Sequence, residues 1–237
     1  MLATLLLALV ALQLAWRIVG RRSVARRLFP EPRDGHPYRA WSARLAFSFG
    51  LPALVALVSL DRADALWRLP PEFEPVAALA RAFAPFQVWP TVVGLLLGTL
   101  VAALITRWRR RRGGRPFYLG RPPRLPAHPA ELPAAAVLSV AAGVTEELYF
   151  RLLLPLLVAL AIGSATAGFL LAAALFGLSH RYQGWVGMVA TTLVALFLSA
   201  VYLSSGALWL AMACHAAIDL NGLVLRPGLA LWSQGRR

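Results

Sequence analysis

The chain has 237 residues, of which 59% are hydrophobic and only 14% charged, with a formal charge of +14 from 24 basic and 10 acidic residues. A soluble domain carries about 25% charged and roughly 45–50% apolar residues, so this composition excludes an ordinary soluble globular protein as well as a disordered one. The single cysteine, Cys214, excludes a disulfide framework and a multi-thiolate zinc site.

A membrane-crossing helix needs about 20 mostly apolar residues. In chain order the apolar runs are Leu2–Val19, Leu45–Leu60, Val88–Thr106, Leu132–Leu152, Thr166–Ser179, Trp185–Ser204 and Ala207–Leu225. The short run Leu153–Ile162, with Pro155 near its start, reads as a kinked extension of the fourth run or a half-helix. The expected fold is all-α, a polytopic bundle of about seven to eight transmembrane helices. The first run reads as a retained anchor: its charges, Arg17, Arg21, Arg22, Arg26 and Arg27, follow the apolar part, where a cleaved signal would place them before it.

Every basic residue is an arginine. Eight fall between Arg17 and Arg44, and eight more between Arg107 and Arg124. The intervening connection, Asp61 to Gln87, balances three arginines with four acids. The positive-inside rule places both Arg-rich connections in the cytoplasm, the N-terminus outside and, with seven crossings, the C-terminal Arg226, Arg236 and Arg237 inside. The arginines then serve topology and contact lipid headgroups. Nucleic acid is excluded as a partner, because no basic soluble domain remains once the spans are removed. The expected location is a bacterial plasma membrane.

Ionisable residues at bilayer depth cost about 2.5–3.5 kcal/mol each on insertion scales and need a reason. They crowd into the second half, which divides the chain into an N-terminal segment 1–131 and a motif-bearing segment 132–237. At about 100° per residue, Arg151 shares a face with Glu147 as an acid-first i,i+4 pair, leaving Glu146 without a cation of its own. Ala142 and Gly143, one turn before Glu146, leave room for water or a substrate backbone. Phe176 and His180 share a helical face, as do His215 and Asp219, whose carboxylate can orient the imidazole or raise its pKa. Glu146 lies about 14 residues, roughly 21 Å, into its run, whereas His180 ends one, so simple alternation sets them at different depths.

Glu146-Glu147-x-x-x-Arg151, Phe176-x-x-x-His180 and His215-x-x-x-Asp219, in that order on apolar helices, resemble the CPBP intramembrane protease family, also called the CAAX prenyl protease and bacteriocin-processing (Abi) family. Asp219 departs from the asparagine found in many members. The resemblance implies peptide-bond hydrolysis at the membrane, on a peptide or protein substrate presented among membrane lipids. Glu146 would take the proton of the attacking water, His180 would share that water, and His215, oriented by Asp219, would support the oxyanion. Glu147, Arg151 and Phe176 would be structural support. Glu146, His180, His215 and Asp219 are also a donor set suited to a divalent metal such as zinc. Ser179 and Cys214 each adjoin a histidine, but neighbours on a helix diverge by about 100°, so both read as packing residues. Two rival readings are a non-catalytic scaffold or immunity protein of the same fold, and a proton-coupled transporter.

Overall fold

A computed structural model of the chain describes residues 1–19, 24–31, 37–114 and 120–234. Arg21, Arg22, Arg236 and Arg237 lie outside the described residues. Among those described, all regular structure is helical: α1 Leu2–Val19, α2 Val24–Leu28, α3 Tyr38–Leu45, α4 Leu51–Ser59, α5 Glu74–Phe83, α6 Val88–Arg111, α7 Leu132–Glu147, α8 Leu154–Ile162, α9 Ala165–Ser179, α10 Gly184–Ser205, α11 Leu208–Leu220 and α12 Arg226–Gln234. The pairs α3–α4, α7–α8 and α11–α12 are continuous rods, each joined by a π turn, at Ala46–Gly50, Leu148–Leu153 and Asn221–Leu225.

The π turns have a common cause in the sequence. Each is followed by a proline at the second position of the next helix: Pro52, Pro155 and Pro227. Proline has no N–H to give to the carbonyl four residues back, and its ring crowds that carbonyl. A widened turn absorbs the mismatch. At Pro52 the carbonyl left without its helical donor is that of Ser48, and the Gln13 side-chain amide of α1 donates to it. The stretch 153–162 is therefore a continuation of the fourth run and not a separate crossing.

Among the described residues, four helices are long and apolar enough to cross a membrane: Tyr38–Ser59, Val88–Arg111, Arg181–Ser205 and Leu208–Trp232. Leu2–Arg17 and Ala165–Ser179 are apolar but shorter, and the rod 132–162, interrupted by Glu146, Glu147 and Arg151, is not among the four. Length and hydropathy thus support fewer crossings than the seven to eight expected.

The rod 132–162 forms the centre of the bundle. Leu148 through Ala159 are all buried, packed with Phe49, Leu57, Phe169 and Phe176 from the surrounding helices. Its α7 half lies against α11 and α3, and its α8 half against α9 and α1. Small residues permit the close approaches, as expected where apolar surroundings remove the hydrophobic drive between helices. A Cβ at Gly143 would stand 2.8 Å from Met212 O and Ala216 N of α11, and one at Gly168 would stand 2.8 Å from Pro155 Cα. Gly143 thus seats one helix on another, and the room expected there is provided by Ala142 alone, which lines the cavity described below.

The two depths are reconciled by the α8–α9 hairpin. Gly163, at φ 80°, supplies the left-handed turn that ends α8, and the Ser164 hydroxyl accepts from Ala167 N to begin α9. Glu146 and His180 each lie 17 residues from Gly163, on antiparallel helices. They return to the same level because α9 is as short as the upper part of the rod.

Candidate active site

Glu147 is the hub of the constellation. It is fully buried at the end of α7, and its Oε1 lies 2.9 Å from Arg151 Nη1 and 2.6 Å from His215 Nδ1. The first contact is the expected i,i+4 pair. The second spans 68 residues and reaches a different helix. The close packing of Gly143 on α11 is what brings His215 to that distance.

This arrangement changes the assignment for His215. Its near partner is Glu147, whereas Asp219 Oδ2 stands 3.7 Å away, on the Nε2 side of the ring. Glu146 Oε2 lies 3.9 Å from the same Nε2. Glu147 therefore fixes the ring through Nδ1, and Nε2 is directed at the two carboxylates Glu146 and Asp219.

Phe176 packs the site from α9. Its ring centroid is 4.5 Å from Arg151 Cζ, 4.7 Å from the His180 ring and 5.8 Å from the His215 ring. It covers the Arg151 guanidinium, which is 1% exposed, with the negative face of a π system. His180 Nδ1 lies 2.9 Å from Phe176 O. A carbonyl only accepts, so Nδ1 carries the proton in this bond, and Nε2 of the neutral ring is left as an acceptor. Ser179 does come within 3.2 Å of His180 Nδ1, nearer than helical divergence predicts. Its hydroxyl, however, donates to Phe176 O at 2.7 Å, so its proton is not aimed at the ring. Cys214 is buried among Leu198, Val201 and Leu210, a packing residue as expected.

Glu146, His180 and Asp219 line one cavity of about 800 Å³, together with Ala142 and Tyr182. Its walls also carry Arg17, Arg26, Arg44, Arg124, Arg181 and Arg226. Among the described residues, no group of three or more His, Cys, Asp or Glu side chains is placed to hold a metal ion. Nδ1 of His215 is taken by Glu147 and Nδ1 of His180 by a carbonyl, which leaves Nε2 as the ring atom of each that could ligate; no step is derived through a metal.

Some contributors lie outside the three motifs. Tyr149 OH donates to Gln13 Oε1 at 2.9 Å, and Gln13 also donates to Ser48 O, so one amide ties α1 to both the α3–α4 and the α7–α8 π turns. Arg17, one turn further along α1, stacks 4.3 Å over the Phe49 ring. A glutamine in an otherwise apolar run was the available signal for this tie.

Residues 128–221 match the family model described as Type II CAAX prenyl endopeptidase Rce1-like. No curated protein and no solved structure matches the chain.

Proposed function

We propose that this chain is an intramembrane endopeptidase, a reading supported by the match of residues 128–221 to the Rce1-like type II CAAX prenyl endopeptidase family model and consistent with the wider CPBP/CAAX protease family. Its nucleophile is a water activated by Glu146. The observation that carries the reading is the convergence of Glu146, His180 and His215 on one level of the bundle, with Glu146 and His180 open to the same cavity.

Glu146 takes a proton from water held between it and His180 Nε2, and the hydroxide attacks the carbonyl carbon. His215, held by Glu147 through Nδ1–H and acting as the imidazolium, donates from Nε2–H to the oxyanion. The proton on Glu146 passes to the amide nitrogen, the C–N bond breaks, and the acid formed passes its remaining proton to the amine, so that a carboxylate and an ammonium leave. Asp219, 3.7 Å from the same Nε2, adds a second carboxylate to that side of the ring. Glu147, Arg151 and Phe176 are positioning residues.

The rod 132–162 and the shorter helices Leu2–Arg17 and Ala165–Ser179 are proposed to join the four long helices as crossings, giving seven. The segment 132–237 carries the chemistry, and 1–131 supplies anchoring and the Arg-rich faces. The proposed setting is a cell membrane of bacterial type, with lipids and a membrane-presented peptide or protein as partners.

The test is cleavage of a membrane-presented peptide by the purified full chain, compared with Glu146→Ala and Glu146→Gln, each with and without chelator. Both variants are expected to lose at least about 100-fold in rate, the scale of a general-base contribution, and chelation is expected to leave the wild-type rate unchanged. Retained activity in both variants removes Glu146 as the base. Loss on chelation that zinc restores replaces the metal-free mechanism with a metal-dependent one.

A further inference from the structure

The cavity over Glu146 is walled by six arginines against three acids, Glu31, Glu146 and Asp219. Three of those arginines have settled partners. Arg44 pairs with Glu31 at 3.1 Å, Arg124 approaches Glu131 at 3.9 Å, and Arg226 donates to Asn221 Oδ1 at 2.7 Å. Arg17 and Arg181 differ: among the described residues neither has a carboxylate within ion-pair distance. They come from opposite parts of the chain, the end of α1 and the turn after α9, yet both line the cavity that Glu146 lines. Two like charges facing one cavity repel. Stacking on Phe49 holds Arg17 in that position.

We propose that Arg17 and Arg181 form a carboxylate clamp in the wall of the cavity, selecting peptides that carry negative charge beside the bond to be cut. This deepens the peptidase reading and rests on it. Guanidinium groups are suited to carboxylates because their forked donors match both oxygens. A volume of about 800 Å³ is within the usual range for a ligand site. Glu146 lines the same cavity as these two arginines, which favours a peptide on its way to the scissile position over a resident lipid headgroup. The carboxylates are of two sources, acidic side chains or the chain-terminal carboxylate, and the clamp recognises what they share.

The test is binding of fluorescent peptides to the full chain in nanodiscs of uncharged lipid, read by anisotropy. Four peptides share one apolar core and differ only at the end: acidic side chains with a free terminus, acidic side chains with an amidated terminus, neutral side chains with a free terminus, and neutral side chains with an amidated terminus. Wild type is expected to bind at least one anionic peptide about 10-fold or more tighter than the fully neutral one, with the margin shrinking as salt rises. The second and third peptides show which carboxylate source dominates. In Arg17→Gln/Arg181→Gln the anionic-to-neutral ratio is expected to fall toward one, and Arg17→Lys/Arg181→Lys to recover part of it. Equal binding of all four peptides by wild type, or a ratio unchanged in the double Gln variant, overturns the clamp. A preference that vanishes when anionic lipid is added shows the arginines hold headgroups, and also overturns it. Because the readout is binding, an absence of cleavage by any peptide counts against the peptidase reading alone, whereas cleavage without charge preference counts against the clamp alone.

Discussion

At the scale of single residues the most consequential side chain is Glu147, which holds both Arg151 and His215 with one oxygen in a fully buried position. Removing one member of a buried ionic set costs about 3–5 kcal/mol because its partner keeps the desolvation penalty without compensation. Glu147→Ala is therefore expected to lower stability by about that amount, measured by thermal unfolding in detergent, and to abolish cleavage by freeing the His215 ring. Adding Arg151→Leu to Glu147→Ala removes the stranded cation and should return a good part of the stability. Activity should not return, since the ring is still unanchored. A stable Glu147→Ala protein, or a double variant that regains activity, would show that Glu147 does not hold the site together. The sequence makes half of this pair readable. Arg151 follows Glu147 by four residues, so helical periodicity reveals it. His215 is 68 residues away, and for such a contact periodicity along one helix has nothing to say. For the same reason Asp219, the i,i+4 neighbour, is the natural but wrong first choice as the group that orients His215.

Among the elements, the prolines and glycines act in legible and less legible ways. Pro155 in an apolar run marks a disturbed helix, and the disturbance is the π turn Leu148–Leu153 directly after Glu147. That turn brings Leu148 through Leu153 wholly inside the bundle, and Tyr149 within it reaches Gln13 on α1. Gly143 is less legible, because a small residue beside a carboxylate fits both a space for substrate and a seat for another helix. The backbone of α11 at 2.8 Å decides for the seat. Gly143→Ala is expected to push α7 from α11, costing about 1–3 kcal/mol as an overpacked contact does, and to lower the cleavage rate about 10-fold or more by lengthening the Glu147–His215 bond, because small misplacements of reacting groups carry rate costs of this order. Gly98→Ala on α6, where nothing stands within 4 Å of the added carbon, is the matched control, expected to match wild type or gain up to about 1 kcal/mol from better helix propensity. Unfolding midpoints and initial rates for the two variants check this. Equal behaviour of the two would mean that the α7–α11 contact does not position the histidine.

For the whole molecule, the excess of arginine makes one physical demand with two consequences. Charged groups are kept out of the apolar layer, so 16 of the 24 arginines fall into the connections 17–44 and 107–124. Four of those arginines, Arg17, Arg26, Arg44 and Arg124, line the cavity that Glu146 also lines, so arginines suited to orienting the protein also wall its site. The general fold class was legible from composition and run length alone. The number of crossings was not, because a helix bent by a π turn and a half-length helix such as α9 give hydropathy signals that overlap with those of buried soluble helices. Topology can be tested directly. Ala63, in the connection with balanced charge, and Ala127, following the second Arg-rich connection, are both exposed, and the chain's only cysteine, Cys214, is 1% exposed and so a silent background. Ala63→Cys is expected to react with a membrane-impermeant thiol reagent added to intact cells, and Ala127→Cys to react only after the membrane is opened. Labelling of both from the same side would break the alternation on which the seven proposed crossings rest. Reactivity of Ala127→Cys in intact cells with protection of Ala63→Cys would preserve the alternation and invert the protein, placing the cavity and its arginines on the outer face.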